Sequence, residues 1–165
     1  MSTFVSVGNA TQPFSRLLSE VARLAPHLPQ PVTVQTGSTP FANGICRAVP
    51  FLGMEDFEAH VRRAQLLIVH AGAGTVINAL QAGKCPVVAP RLARYAEHID
   101  NHQLEFARAL ARQGKIAMAE EMHLLQTAIE DAMSRRATSA AAKSQPPLIG
   151  VVQEILDGYA AAARR

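Results

Sequence analysis

The sequence predicts an α/β fold with a doubly wound parallel sheet, and three observations support this prediction. Short apolar runs rich in β-branched residues alternate along the chain with segments of helical periodicity. One run, residues 66–69, is apolar at every position, which is typical of a parallel strand covered on both faces. Glycines and small polar residues follow two of these runs, where the loops of such a sheet bind ligands.

The amino-terminal half contains four of the predicted strands. Residues 4–7 form the first strand and lead into a helix with one apolar face, made by Phe14, Leu17, Leu18, Val21 and Leu24. Strands 32–36 and 45–49 follow, joined by a link that glycine and proline interrupt. A helix over 54–63 then precedes the apolar strand 66–69, which gives repeated strand and helix alternation.

The second half continues the alternation. We predict a helix over 75–82 capped by Gly83, a strand over 86–90, a helix over 100–112, a short strand over 116–118 and a helix over 122–133. Residues 1–136 should therefore form one Rossmann-like domain.

The carboxyl-terminal region differs in composition. Residues 137–147 are rich in alanine, serine and proline and read as a flexible link. Residues 148–165 read as an amphipathic helix, whose apolar stripe would cover either this domain or a partner.

Composition excludes several classes of protein. The 165 residues are 48% hydrophobic and 18% charged, which suits one globular domain. The net charge of +3 is scattered and aromatic residues are only 5%, which disfavours nucleic-acid binding. No apolar run approaches the roughly 20 residues of a transmembrane helix, so we expect a soluble cytoplasmic protein. Cys46 and Cys85 lack metal-ligand spacing and fit reduced, buried thiols better than a disulfide.

A glycine-rich turn over residues 70–75 follows the apolar strand. Gly72 and Gly74 let backbone amides approach an oxyanion, Ala73 is small, and Thr75 adds a hydroxyl at the positive end of the next helix. This chemistry suits a diphosphate. The alternative is a tight turn that needs glycine only for packing. The first loop, over residues 6–12, places Gly8 at the end of another strand in a similar way.

A second polar cluster, residues 97–103, should reach the same edge of the sheet. Asp100 fits a helix cap, but capping does not explain the adjacent Asn101, His102 and Gln103, whose side chains suit a polyol such as a sugar. Zinc binding by His98 and His102 is disfavoured because no third ligand has suitable spacing, and we expect no metal site. No nucleophile motif supports covalent hydrolysis.

Three segments, FVSVGN, LLIVHAGAGTVINALQAGKCPVVAPR and EHIDNHQLEFARALARQGK, resemble the C-terminal domain of family 28 glycosyltransferases. The resemblance covers most of residues 3–115. It is strongest to small stand-alone subunits: the catalytic subunit of the eukaryotic dolichol-linked GlcNAc transferase, and bacterial exopolysaccharide subunits that transfer glucose, glucuronate or related sugars.

The resemblance implies the donor-binding half of a GT-B fold. The protein would be an inverting UDP-sugar-dependent hexosyltransferase that acts on a lipid-linked saccharide and is inactive alone. A membrane-associated Rossmann-like subunit would bind the acceptor and recruit the chain to the inner face of the membrane. The UDP-sugar would be the donor substrate, with no further cofactor. A non-catalytic UDP-sugar accessory or sensor module is the alternative.

The resemblance also assigns residues to subsites. Gly72, Ala73, Gly74 and Thr75 would hold the diphosphate together with Gly8 from the first loop. The backbone near Phe51 would recognise uracil, and Asn78 stands where longer relatives often carry a ribose-binding carboxylate. The segment from Asp100 to Gln103 would face the donor sugar. The general base is unknown: it could lie on the partner, and His70 is a weak candidate.

Overall fold

A computed structural model of the chain describes the backbone of residues 2–141 and the side chains of residues 2–137. Its six strands are all parallel: β1 Thr3–Ser6, β2 Val32–Gln35, β3 Cys46–Val49, β4 Leu66–His70, β5 Val87–Ala89 and β6 Ala117–Met118. The helices are α1 Ser15–Leu24, α2 Met54–Arg63, α3 Ala73–Gln81, α4 His102–Arg112 and α5 Leu125–Ala141, with 3₁₀ turns at Ala25–His27, Ala93–Tyr95 and Met122–Leu124. The predicted α/β fold class is confirmed.

The strand order, β3-β2-β1-β4-β5-β6, reverses direction at the centre of the sheet. Thr3 in β1 pairs with Val32 of β2 on one side and with Leu66 of β4 on the other. Successive strands are added outward from β1 on one side of the sheet, as β2 and β3, and outward from β4 on the other side, as β5 and β6. The switch point therefore lies between β1 and β4. The loops after these two strands leave the carboxyl edge side by side, which is where ligands bind in such folds.

The sheet is covered on both faces, as the continuous apolar strands predict. Adjacent residues on a strand point to opposite faces. Val5 and Ile68 pack with the buried face of α1 and with α5. Phe4 and Leu67 lie on the other face with α2 and α3. The apolar side chains of α1 that the periodicity selects are all buried, namely Phe14, Leu17, Leu18, Val21 and Leu24.

Several boundaries differ from the sequence prediction. Helix α3 begins two residues earlier than predicted, at Ala73, and α4 begins two residues later, at His102. Helix α5 runs to Ala141, so the assignment of residues 137–141 to a flexible link is wrong. This stretch lacks the glycine and proline that end helices, and alanine favours continuation. The rest of the predicted link and the helix 148–165 lie outside the described residues.

Cys46 and Cys85 are both free and partly buried, and burial raises the pKa of each thiol. Neither cysteine forms a disulfide with another described residue, and both are only partly buried, whereas we predicted buried thiols. Across residues 2–141, none of the helices combines the length and apolar character that crossing a membrane requires.

Candidate functional site

The imidazole of His70 lies at the switch point, between the loops that follow β1 and β4. A Cβ on Gly8 would lie 2.5 Å from both Cε1 and Nε2 of this ring. A Cβ on Gly72 would overlap Nε2 and lie 2.9 Å from Cε1. Gly8 also has a φ of +76°, which side chains rarely adopt. Packing against His70 therefore explains these two glycines without any ligand.

Gly74 is different from Gly8 and Gly72. A Cβ on Gly74 would meet no atom within 4 Å, so packing in the described structure does not require glycine there. The residue lies in the first turn of α3, where the Val76 N–H is the first to bond back, donating to the Gly72 carbonyl at 3.0 Å. The N–H groups of residues 73–75 precede that bond and have no intrahelical acceptor. This open helix terminus can bind an anion.

His70 is neutral at physiological pH. Burial is the main reason that the pKa of His70 is lowered to about 4; the Arg91 charge contributes to the shift, and a hydrogen bond with the Ser6 backbone opposes part of it. A neutral imidazole can donate a hydrogen bond to an anion. It is a weak base at pH 7, because efficient general bases have a pKa near the working pH. The lowered pKa of His70 thus disfavours it as the general base.

The polar segment predicted to face a sugar is built into the loop that follows β5. The Gln103 Oε1 atom accepts from the Arg91 backbone N–H at 3.1 Å, and the Asn101 Oδ1 atom accepts from the Ala93 N–H at 3.2 Å. Both side chains therefore position the loop with their carbonyl oxygens. Neither side-chain NH₂ group bonds to another described residue, so both NH₂ groups can donate to a ligand at this edge.

Asp100 joins two histidines. Its carboxylate lies 3.0 Å from Nδ1 of His98 and 2.8 Å from Nδ1 of His102, and it accepts from the His102 N–H at 3.0 Å. The His102 N–H bond is the main reason that the pKa of Asp100 is lowered. Asp100 thus accepts from the first N–H of α4, but the N-cap position of the helix is Asn101. The part of the chain with described side chains contains no group of three or more ligands arranged for a metal ion.

The two residues assigned to uracil and ribose lie on the same edge of the sheet. Phe51 follows the outer strand β3 and is 56% exposed, so its ring has no fixed place in the core. Asn78 is half-buried on α3, four residues after Gly74 and hence on the same face of that helix. The structure brings Asn78 and Gly74 together. Phe51 lies two strands away from β1, about 10 Å along the sheet.

Two arginines of this edge, Arg91 and Arg16, were not predicted to have a role, and Glu97 was predicted only as the first residue of the polar cluster. Arg91 is fully buried, and its guanidinium donates to the carbonyls of Val7 at 2.8 Å, Gln12 at 2.7 Å and Glu97 at 3.2 Å. Glu97 is also buried and accepts two bonds from the Arg16 guanidinium, at 3.0 and 2.9 Å. An arginine directly after an apolar strand is the one sequence signal for this arrangement.

The chain is similar to known proteins over most of its length. The family model of the Glycosyltransferase family 28 C-terminal domain matches residues 2–155 of the chain. The chain belongs to this family. The resemblance inferred from the three sequence segments is thereby confirmed.

One relative of this family 28 domain is the UDP-N-acetylglucosamine transferase subunit ALG13 of Yarrowia lipolytica (strain CLIB 122 / E 150). It is 39% identical over 69 residues, which cover 42% of this chain and 33% of that protein. Among solved structures, the glycotransferase of kitacinnamycin matches 94% of this chain and 39% of its own chain, with a TM-score of 0.63 and 17% identity. The chain thus spans well under half of each protein, and the second match concerns the fold alone.

Proposed function

We propose that this family 28 domain binds the diphosphate of a UDP-sugar at the amino end of α3 and donates the sugar in a glycosyl transfer. The observation that carries the proposal is the open space at Gly74, beside free helix N–H groups and the neutral His70. The uracil would lie toward Phe51, the ribose near Asn78, and the sugar near the segment from Asp100 to Gln103.

The reaction would place negative charge on the leaving diphosphate. Backbone N–H groups and the positive end of a helix stabilise such charge most when they are fixed before the reaction begins. The amides of Ala73, Gly74 and Thr75 are fixed in this way by α3, and Gly8 keeps the opposite loop close. His70 is too weak a base at pH 7 to deprotonate the acceptor hydroxyl. We therefore propose that the general base of an inverting reaction lies on the acceptor-binding partner.

The acceptor has to be held opposite the donor edge by a second domain. The described residues form one sheet, and its carboxyl edge would provide one side of a cleft. The relative ALG13 is named as a subunit of a transferase, which supports a second chain for this role. We propose a membrane-associated Rossmann-like partner that presents a lipid-linked saccharide at the cytoplasmic face, as in exopolysaccharide synthesis. The hexosyl transfer then requires both proteins.

Calorimetric titration with UDP tests the donor site. We expect Gly74→Val to abolish binding, because the side chain fills the space that the phosphates need. Gly44→Val is the matched control: Gly44 also has no atom within 4 Å of an added Cβ, and it lies just before β3 at the opposite edge of the sheet. Both variants should keep the wild-type thermal melt. Unchanged UDP affinity in Gly74→Val would rule out this site.

A transfer assay tests the two-protein requirement. The purified chain is incubated with a labelled UDP-sugar and membranes, with and without the candidate partner. We expect UDP binding by the chain alone and transfer to lipid only when both proteins are present. Robust transfer by the chain alone would contradict the two-subunit proposal, and binding without transfer in the complete mixture would favour a sensor module.

A further inference from the structure

Four arginines lie in the loop after β5 or next to it, and three of them form ion pairs with glutamates. Arg16 pairs with Glu97 at 2.9 Å, Arg108 pairs with Glu120 at 2.6 Å, and Arg94 pairs with Glu121. Arg91 is the fourth arginine. Within the described residues, its guanidinium has no carboxylate oxygen within 4 Å. Among these four arginines, Arg91 is therefore the one without a direct ion pair.

This unpaired charge is also the most buried one. Arg91 is 0% exposed and its guanidinium stacks over the Phe14 ring at 4.8 Å. Backbone carbonyls occupy its two terminal nitrogens, whereas the buried Nε has no hydrogen-bond partner among the described residues. Burial lowers the pKa of Arg91, but guanidinium groups remain protonated in proteins. The Glu97 charge offsets part of this effect, but a buried cation without a direct ion pair remains unfavourable.

The charge lies directly behind the proposed donor site. The guanidinium bonds to the carbonyl of Val7, and the next residue, Gly8, abuts the His70 ring. The Arg91 charge also lowers the pKa of His70, so its field reaches the edge at which the diphosphate would bind. A nearby anion would offset the burial of Arg91, and low local dielectric strengthens that attraction.

We propose that Arg91 supplies a fixed positive charge that attracts the diphosphate without touching it, while its bonds hold the loops after β1 and β5 in place. It is a positioning residue that acts through its field and through the Gly8 loop. The inference rests on the proposed UDP-sugar site. A purely mechanical role in tying the two loops is the competing explanation.

Ligands of increasing charge separate the two explanations. Uridine, UMP and UDP share the nucleoside and carry about 0, −2 and −3 charges near pH 7.5. Each is titrated by calorimetry into the wild type, Arg91→Met, Arg91→Lys and the control Arg108→Met. Met removes the charge and keeps much of the volume, Lys keeps the charge, and Arg108 is a paired arginine with a half-exposed side chain.

We expect Arg91→Met to weaken UDP binding about tenfold or more, UMP binding less, and uridine binding by less than about twofold. Arg91→Lys should stay within about threefold of the wild type for UDP, and Arg108→Met should change none of the three affinities. An equal loss for uridine and UDP, or no loss for UDP, would overturn the electrostatic role. Failure of the wild type to bind UDP at all would instead reject the proposed donor site.

A measurement on the wild type covers the case in which Arg91→Met does not fold. The arginine Nε–H resonances are followed by NMR while UDP or uridine is added to the ¹⁵N-labelled protein, with Arg91→Lys used to assign the signal. We expect the Arg91 Nε–H resonance to shift with UDP and not with uridine. Equal shifts with both ligands, or no shift with UDP, would overturn the proposal.

Discussion

The His70 imidazole fills the space that a side chain on Gly72 would need. A Cβ on Gly72 would overlap Nε2 of this ring, whereas a Cβ on Gly74, two residues later, would meet nothing within 4 Å. Two glycines of one short turn therefore have separate reasons to be glycine. Gly72 is needed by the fold, and Gly74 is free to serve a ligand.

We expect Gly72→Ala to lower the free energy of unfolding by about 1–3 kcal/mol, because His70 and its neighbours must shift to accommodate the methyl group. Gly74→Ala should leave stability unchanged or raise it by about 0.5–1 kcal/mol, since alanine is the better helix former. Urea denaturation measures both. Adding His70→Ala should remove most of the Gly72→Ala penalty, and fully additive losses would contradict the steric explanation.

Gln103 can be tested for a double role. Gln103→Ala should weaken UDP-sugar binding by about 1–3 kcal/mol, because a ligand hydroxyl loses its partner and the Arg91 N–H loses its acceptor. Gln103→Met removes the side-chain amide without adding a charge that would repel the diphosphate. We therefore expect Gln103→Met to weaken binding of the UDP-sugar more than binding of UDP. Equal losses for UDP and UDP-sugar would show that the side chain does not face the sugar.

The Arg16–Glu97 pair should be important for stability. The carboxylate is 5% exposed, and its removal leaves the Leu92 N–H without an acceptor and leaves Arg16 only the backbone carbonyls of Pro90 and Glu120 as hydrogen-bond acceptors among the described residues. We expect Glu97→Ala to destabilise the protein by about 3–5 kcal/mol. Glu58→Ala breaks an exposed ion pair, in which the side chain of Glu58 is 40% exposed and that of Arg62 is 61% exposed. This variant should change the free energy of unfolding by less than about 1 kcal/mol. Similar values for the two variants in denaturant titrations would refute this ranking.

Stability should fall on mild acidification because of His70. Its folded-state pKa is lowered to about 4 from 6.5, so the unfolded chain binds the proton more readily. The stabilisation is complete above pH 6.5 and is lost as the pH falls toward 4, amounting to a loss of about 2 kcal/mol at pH 5. His70→Gln should flatten the dependence between pH 7 and 5, measured by denaturation at each pH. Parallel pH profiles for the two proteins would contradict a buried neutral His70.

The sequence was sufficient for the fold because each strand and helix carries a strong local pattern. The apolar strand at Leu66–His70 and the single apolar face of α1 predict both burial and order along the chain. Helix boundaries were less predictable. Asp100 satisfies the His102 N–H through a turn before the helix, so a capping residue was mistaken for the helix start.

The site was predicted only in part, because long-range contacts leave weak sequence signals. The turn after β4 and the polar segment near α4 were identified from glycines and clustered polar residues. Nothing local indicates that Gly8 and Gly72 enclose His70, since the two glycines come from loops 64 residues apart. Arg91 was missed for the same reason: its partners Val7 and Gln12 are 84 and 79 residues away.

Side chains from each of the loops after β1 and β5 form hydrogen bonds with the other loop. These reciprocal bonds limit how the edge of the sheet can move. Arg91, in the loop after β5, donates to backbone carbonyls of the loop after β1. Arg16, which follows the loop after β1, donates to Glu97 in the loop after β5. Displacing either loop breaks hydrogen bonds that are anchored in the other. Local opening of the two loops is therefore a single cooperative event rather than two independent fluctuations. We therefore expect the proposed donor edge to move as one rigid unit, so that any closure around a ligand would come from the proposed partner.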